Sequence, residues 1–241
     1  MKRILVLCAA MALFATSAFA VGADLSAVAC PSGAGASADG GTLDCANSGV
    51  LTMYIVFQPG ESAPDLTGID VVLDLQVNGD LNSDASFWDF ELVNVAALAV
   101  SHTRPSTICN AYTNSWQPAG SGEGALASRS GVQVERIKAL AYRPTPLAYV
   151  TNQKLFGMSV TIDGSQSAEG GGNAAAVGCS KPTCFVLNNV FPRLVSGTPT
   201  MDLSGPSSFG NTVTVNGATA AQCLVVPTKK HTWGQLKSLY R

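Results

Sequence analysis

Charge is what this chain has least of. Lys and Arg number 14 and Asp and Glu 16 among 241 residues, with only two histidines, so 12% of positions are charged and the net charge is −2. That weak negative balance argues against a nucleic-acid binder, which would show a basic patch. Catalytic signatures are missing too: there is no GxSxG elbow, HExxH pair, Walker A loop or strand-GxGxxG-helix unit. A Ser-His-Asp triad would have to use His102 or His231. The first reads as a solvated strand end beside Arg104 and Pro105, and the second stands close to the last residue given. No CxxC occurs and both histidines lie far from the cysteine pairs, so a zinc set is not offered. Past the first 20 residues no apolar run approaches membrane-spanning length.

What is present begins with a leader. Lys2 and Arg3 precede an apolar run from Ile4 to about Phe14, and Ala18-Phe19-Ala20 supplies the small side chains that a signal peptidase accepts, which predicts cleavage after Ala20. The run is too short for a membrane anchor, which needs about 20 apolar residues, and Thr16 and Ser17 interrupt it. Cys8 follows Leu7 rather than a small residue, which disfavours lipidation. Loss of Lys2 and Arg3 takes the net charge from −2 to −4. The destination is extracellular or cell-surface, with the bacterial periplasm included.

Export turns the other six cysteines into candidate disulfides. Cys179 and Cys184 bracket Ser-Lys-Pro-Thr, which suits a local clip; Cys30 and Cys45 enclose a Gly/Ala/Ser-rich stretch; elimination leaves Cys109 with Cys223. The expected bridges are therefore Cys30–Cys45, Cys179–Cys184 and Cys109–Cys223.

The body alternates apolar and polar residues in short runs broken by Gly, Pro, Asn and Ser. Ile69, Val71, Leu73, Leu75 and Val77 form one such run and Phe156, Met158, Val160 and Ile162 another, with more at 51–57, 132–142, 185–194 and 211–215. The run from Val132 changes phase between Glu135 and Ile137, which predicts a bulge. Segment 87–102 fits either a strand or a short helix, with strand preferred, while 21–48 and 117–130 are read as loops and Ser165–Gly178 as a flexible link. Seven to nine short strands imply an all-β, two-sheet antiparallel sandwich of jelly-roll or cohesin/Ig-like type with a short C-terminal helix. The division is leader 1–20, N-terminal loop region 21–48, sandwich 49–226 and basic amphipathic tail 227–241.

That tail carries Lys229, Lys230, His231, Lys237 and Arg241 with no acid, and Trp233, Leu236, Leu239 and Tyr240 recur at helical spacing behind a Thr232/Gln235 capping pair. The ending Thr232-Trp233-Gly234-Gln235-Leu236-Lys237-Ser238-Leu239-Tyr240-Arg241, with Gly178-Cys179 and Pro182-Thr183-Cys184-Phe185-Val186-Leu187-Asn188, resembles a group of secreted bacterial proteins that share a signal peptide, a strand-rich body and a TWGxxKxLYR-type terminus. The resemblance implies export and brings no chemistry with it. Trp233, Leu236, Lys237, Tyr240 and Arg241 thus form a candidate sorting or docking element, against the alternative of a helix packed on the sandwich.

Three other constellations invite a functional reading. Asp80, Asn82 and Asp84 place oxygens at alternate positions with Glu91 eleven residues after Asp80, the spacing of a calcium loop, although Ala85 stands where such a loop has Gly; an Asx-rich turn is the preferred reading. Tyr112 and Trp116 lie among Asn110, Asn114 and Gln117, a mixture that stacks on and hydrogen-bonds to sugars, although packing is preferred for these rings and for Trp88. Asp74, Asp84, Asp89 and Glu91 offer paired carboxylates for glycoside hydrolysis only if space brings two together. The leading expectation is a non-catalytic secreted or cell-surface protein with a structural, adhesive or binding role. The alternative is a calcium-assisted carbohydrate-binding module, with a glycosidase third; the partners are glycans or cell-surface components.

Overall fold

Alternation at period 2 has the predicted consequence. A computed structural model of the chain describes residues 22–27, 30, 39–47, 49–78, 86–117, 120–131, 133–196, 211–219 and 223. The leader, the Asp80, Asn82 and Asp84 loop, and the tail with its proposed helix all lie outside them. Eleven strands occur among the described residues: β1 (Gly22–Ser26), β2 (Asp39–Gly41), β3 (Val50–Gln58), β4 (Ala63–Val77), β5 (Leu98–Ser101), β6 (Thr113–Asn114), β7 (Gly122–Arg129), β8 (Val134–Tyr149), β9 (Leu155–Asp163), β10 (Thr183–Leu194) and β11 (Thr212–Val215). They form two sheets. The first runs β1-β3-β9-β5 with β6 also on β9, and the second runs β2-β11-β10-β4-β8-β7. Pairing is antiparallel except for β6 with β9 and β2 with β11.

The six-stranded sheet shows how the pattern sorts its faces. Ile69, Val71, Leu73 and Leu75 of β4 are buried and stand opposite Ala141, Ala139, Ile137 and Glu135 of β8. Phe185, Leu187 and Val190 of β10 join them from the other side. Cross-strand partners share a face, so Asp70, Val72, Asp74 and Gln76 project to the opposite, outer face with Lys138, Leu140 and Tyr142. Between the sheets Trp88 meets Phe87 edge-on at 5.0 Å and Phe185 at 6.0 Å, and its indole N–H donates to the Gly178 carbonyl at 3.0 Å.

The structure corrects several sequence expectations. The region read as an N-terminal loop contributes β1 and β2, one to each sheet, and 117–130 contains β7. Segment 87–102 is two single 3-10 turns, Ser86–Trp88 and Val95–Ala97, before the short β5. Ser165–Gly178 is an ordered turn, with Ser167 and Ala176 buried and the Ser167 N–H bonded to the Gly164 carbonyl at 3.0 Å. No bulge interrupts β8 between Glu135 and Ile137; its register against β4 is continuous from Val134 to Tyr142. The apparent phase change arises because a carboxylate, Glu135, occupies a core-facing position. A bulge does fall in β10 between Leu187 and Asn189.

The disulfides are Cys30–Cys109, Cys45–Cys179 and Cys184–Cys223, none of the three pairs expected. Proximity in sequence misled because Cys184 lies inside β10 and projects to the outer face, while Cys179 precedes the strand and belongs to the core. The bridges tie β1's exit to the 102–117 segment, the β2–β3 connection to the approach to β10, and β10 to Cys223. Asn216, left-handed at φ 55°, completes the second of these regions: it accepts the Leu43 N–H at 3.0 Å and donates to the Cys179 carbonyl at 2.9 Å.

Candidate functional site

The outer face of the six-stranded sheet divides into two halves. One half is occupied: Cys184 and Val186 pack with Cys223 and Ala218, and the buried Asp74 takes a two-pronged ion pair from Arg136 at 2.7 and 2.9 Å. Asn188, the residue that the β10 bulge inserts, also donates to Asp74. Among the described residues the other half is open. Val72, Leu126, Leu140 and Phe191 line a recess of about 560 Å³ with Asp70, Lys138 and Arg193 at its rim. Leu126 is 69% exposed. The recess exists because Gly124 stands opposite Leu140 and a Cβ there would touch nothing within 4 Å. Two pairs further on, the Tyr142 ring lies over Gly122. Asp70 and Arg193 form an ion pair across β4 and β10.

A second, smaller recess of about 330 Å³ opens between the facing edges of β5 and β7 and is lined by Val95, Leu98, Val100 and Leu126 with Glu91 at its margin. His102, just past β5, pairs with Glu123 of β7 and so joins the two sheets across this gap. Glu91 accepts the Arg129 N–H at 2.7 Å, and the Arg129 guanidinium pairs with the buried Asp89. Behind them Glu135 is fully buried; one carboxyl oxygen accepts the Phe90 N–H at 3.1 Å and the other has no partner. Burial, and then the nearby Asp89 and Glu91 charges, push its carboxyl up to about 8 against the lowering effects of the Phe90 hydrogen bond and of Arg129. Glu135 is therefore protonated near neutrality.

No protein-family model matches the chain. No curated protein matches it either. Among solved structures the chain is similar to a cohesin module from a family 33 glycoside hydrolase of Clostridium perfringens, at 8% identity over 81% of this chain and 98% of that one, with a TM-score of 0.36. At that level the likeness carries no argument about partners or activity.

The residues singled out in the sequence do not converge. Tyr112 is 8% and Trp116 2% exposed, so neither offers a ring face to a sugar. The Trp116 indole donates to the Phe156 carbonyl at 3.0 Å, and burial with the nearby Asp24 carboxylate pushes the Tyr112 phenol up to about 12. Both rings pack inside the fold as Trp88 does, which is the reading preferred for them from the sequence, and the sugar-stacking alternative for this pair does not apply. Of the calcium set only Glu91 lies among the described residues, where no group of three or more His, Cys, Asp or Glu is placed to hold a metal. Among the glycosidase carboxylates, Asp74 sits on the outer face of the sheet and Asp89 on its inner side, each ion-paired to its own arginine. The recess beside Gly124 was missed because its lining residues, Leu126 and Leu140, come from a stretch read as loop and from the polar phase of β8. A glycine facing an apolar residue across an edge pair was the available signal.

Proposed function

We propose that the chain is a secreted or cell-surface β-sandwich that acts by binding, in a structural or adhesive role, and performs no chemistry. Its partner is a polypeptide segment that lays apolar side chains into the outer-face recess. The observation that carries this reading is the recess itself: Val72, Leu126, Leu140 and Phe191 stand on a sheet face where solvent favours polar residues. The leader supports an extracellular destination, and three disulfides suit an oxidising one. The low charge and the engagement of Asp74, Asp89 and Glu91 in internal contacts support a binding role over a catalytic one. No helix among the described residues is long and apolar enough to cross a membrane.

The test is retention of the purified mature chain on intact cells of its source, measured by fractionation for the natural sequence and for Leu126→Asp. Leu126 is exposed, so the substitution leaves the core alone. Retention should fall at least several-fold in the variant. Equal retention would refute the recess as the binding surface. Chelator-sensitive binding to a glycan array would instead favour the calcium-assisted carbohydrate reading.

A further inference from the structure

We propose that two copies of the chain dimerise by pairing β7 with β7, antiparallel about a two-fold axis at Ala125, so that Leu126 of each copy packs over Gly124 of the other. This rests on the reading of the outer-face recess as a docking surface for a polypeptide and names that polypeptide as the same strand of a second copy. Among the described residues β7 is the last strand of its sheet, and no strand takes its outer edge. Two hydrogen bonds at its end fix the direction of its backbone groups. The Ser130 N–H reaches back to the Val134 carbonyl at 2.9 Å, whereas the Arg129 N–H points away from β8 to Glu91. The register with β8 is continuous from Gly122 to Arg129, and successive residues of an antiparallel strand turn their N–H and C=O to opposite sides. Glu123, Ala125 and Ala127 therefore direct theirs outward. β7 also lacks the devices that keep sheet edges apart: it has no proline, lysine or bulge. Its two charged side chains, Glu123 and Arg129, are already paired within the chain, to His102 and Asp89.

Shape supplies the second argument. On its outer face β7 carries a projection next to a gap: Leu126 is 69% exposed, and a Cβ at Gly124 would meet nothing within 4 Å. An axis at Ala125 sets Leu126 of each copy opposite Gly124 of the other, the same contact made twice. Directly opposed residues share a face, so each leucine enters the other copy's recess over the glycine and reaches Leu140, which stands across from Gly124 on β8. The same register opposes Ala125 to Ala125 and Glu123 to Ala127, all residues whose backbone groups face outward, so the ladder closes and no like charges meet. On the inner side the incoming alanines fall beside the smaller recess between β5 and β7, which has room for them. Glu91, by taking the Arg129 N–H, ends the ladder at Ser128. An axis at Leu126 would instead face leucine with leucine and leave Gly124 opposite Ser128, with the recess unfilled. The two-fold operation is closed, so assembly stops at a dimer whose recesses lie on one continuous face.

Analytical ultracentrifugation of the mature, oxidised chain tests this. The natural sequence should dimerise in the micromolar range, and a chain that stays monomeric up to about 1 mM overturns the inference. Ala125→Pro removes the N–H at the axis, and because that N–H points away from β8 the monomer keeps its own ladder. It should weaken the dimer by roughly tenfold or more. Gly124→Leu fills the gap and Leu126→Gly removes the projection, so each alone should weaken the dimer to a similar extent. Combined in one chain they exchange projection and gap, and the dimer should return to within a few-fold of its natural strength. Only an axis at Ala125 predicts that restoration. Far-UV circular dichroism identifies any variant that fails to fold, and the remaining ones then decide. Association that the single variants leave unchanged overturns the inference, as does a double variant no stronger than its weaker parent, or species that grow beyond a dimer. A monomeric natural chain whose Leu126→Asp variant still loses cell retention removes the second copy and leaves the docking surface to another polypeptide. A dimer that behaves as described while Leu126→Asp keeps full retention upholds the interface and removes the cell-binding reading instead.

Discussion

Replacing Glu135 with Gln should flatten the pH dependence of stability between about pH 4.5 and 8. The carboxyl is held at about 8 in the folded chain against its ordinary 4.5. Across that interval the folded state keeps a proton that the unfolded state has released, so stability falls as pH rises. Below the unfolded value the contribution is fully present; above the folded value it is gone. At about 1.36 kcal/mol for each pH unit, the loss is on the order of 5 kcal/mol, a figure that applies because Glu135 is fully buried. Gln keeps an oxygen for the Phe90 N–H, places its amide among the Asp89 and Glu91 carboxylates and has no proton to lose. Guanidinium unfolding of both proteins with disulfides intact, from about pH 5 to about pH 9, should show the Gln variant gaining several kcal/mol on the natural sequence as pH rises. A constant difference between the two profiles would refute the assignment of Glu135 as a buried, protonated acid.

Asp74→Ala should destabilise the fold by about 3 kcal/mol by equilibrium unfolding, because it strands Arg136 and the Asn188 amide on the sheet; an unchanged midpoint would mean that solvent serves Arg136 equally well. Non-reducing peptide mapping should recover Cys30 with Cys109, Cys45 with Cys179 and Cys184 with Cys223, and any Cys30–Cys45 peptide would contradict the fold. Serine at both Cys45 and Cys179, which opens a loop of 134 residues, should cost about 5 kcal/mol on the chain-entropy account, read as a lowered unfolding midpoint.

Where the chain places apolar residues at strict alternation, as at Ile69–Val77 and Phe156–Ile162, strand and buried face were both legible, because a half-buried strand has no other pattern to show. Legibility failed in two circumstances. Strands poor in large side chains, such as β1 (GADLS) and β7 (GEGALASR), carry the composition of loops and owe their pairing to neighbours that supply the apolar contacts. Residues whose polarity contradicts their position, Glu135 above all, break the periodicity from which position is inferred. Tyr112 and Trp116 lie among amides in sequence, yet they turn inward as preferred for them, because β6 between them pairs with β9 and the Trp116 indole donates to the Phe156 carbonyl. Cysteine pairing was illegible because five of the six cysteines lie in connections that only the folded sheets bring together, and the sixth, Cys184, projects to a face that is known only after register.

The bridge pattern also has a consequence for biogenesis. With the leader removed as proposed, Cys30 and Cys45 are the first two thiols to emerge from the amino end, and each must wait for a partner 79 or 134 residues further on. During that interval the nearest available sulfur for each is the other. A mispaired Cys30–Cys45 link is thus the kinetically favoured early product, and reaching the native set requires thiol–disulfide exchange rather than oxidation alone. A host that supplies an oxidant but no isomerase should accumulate this trapped form, and its yield of folded protein would be limited by reshuffling.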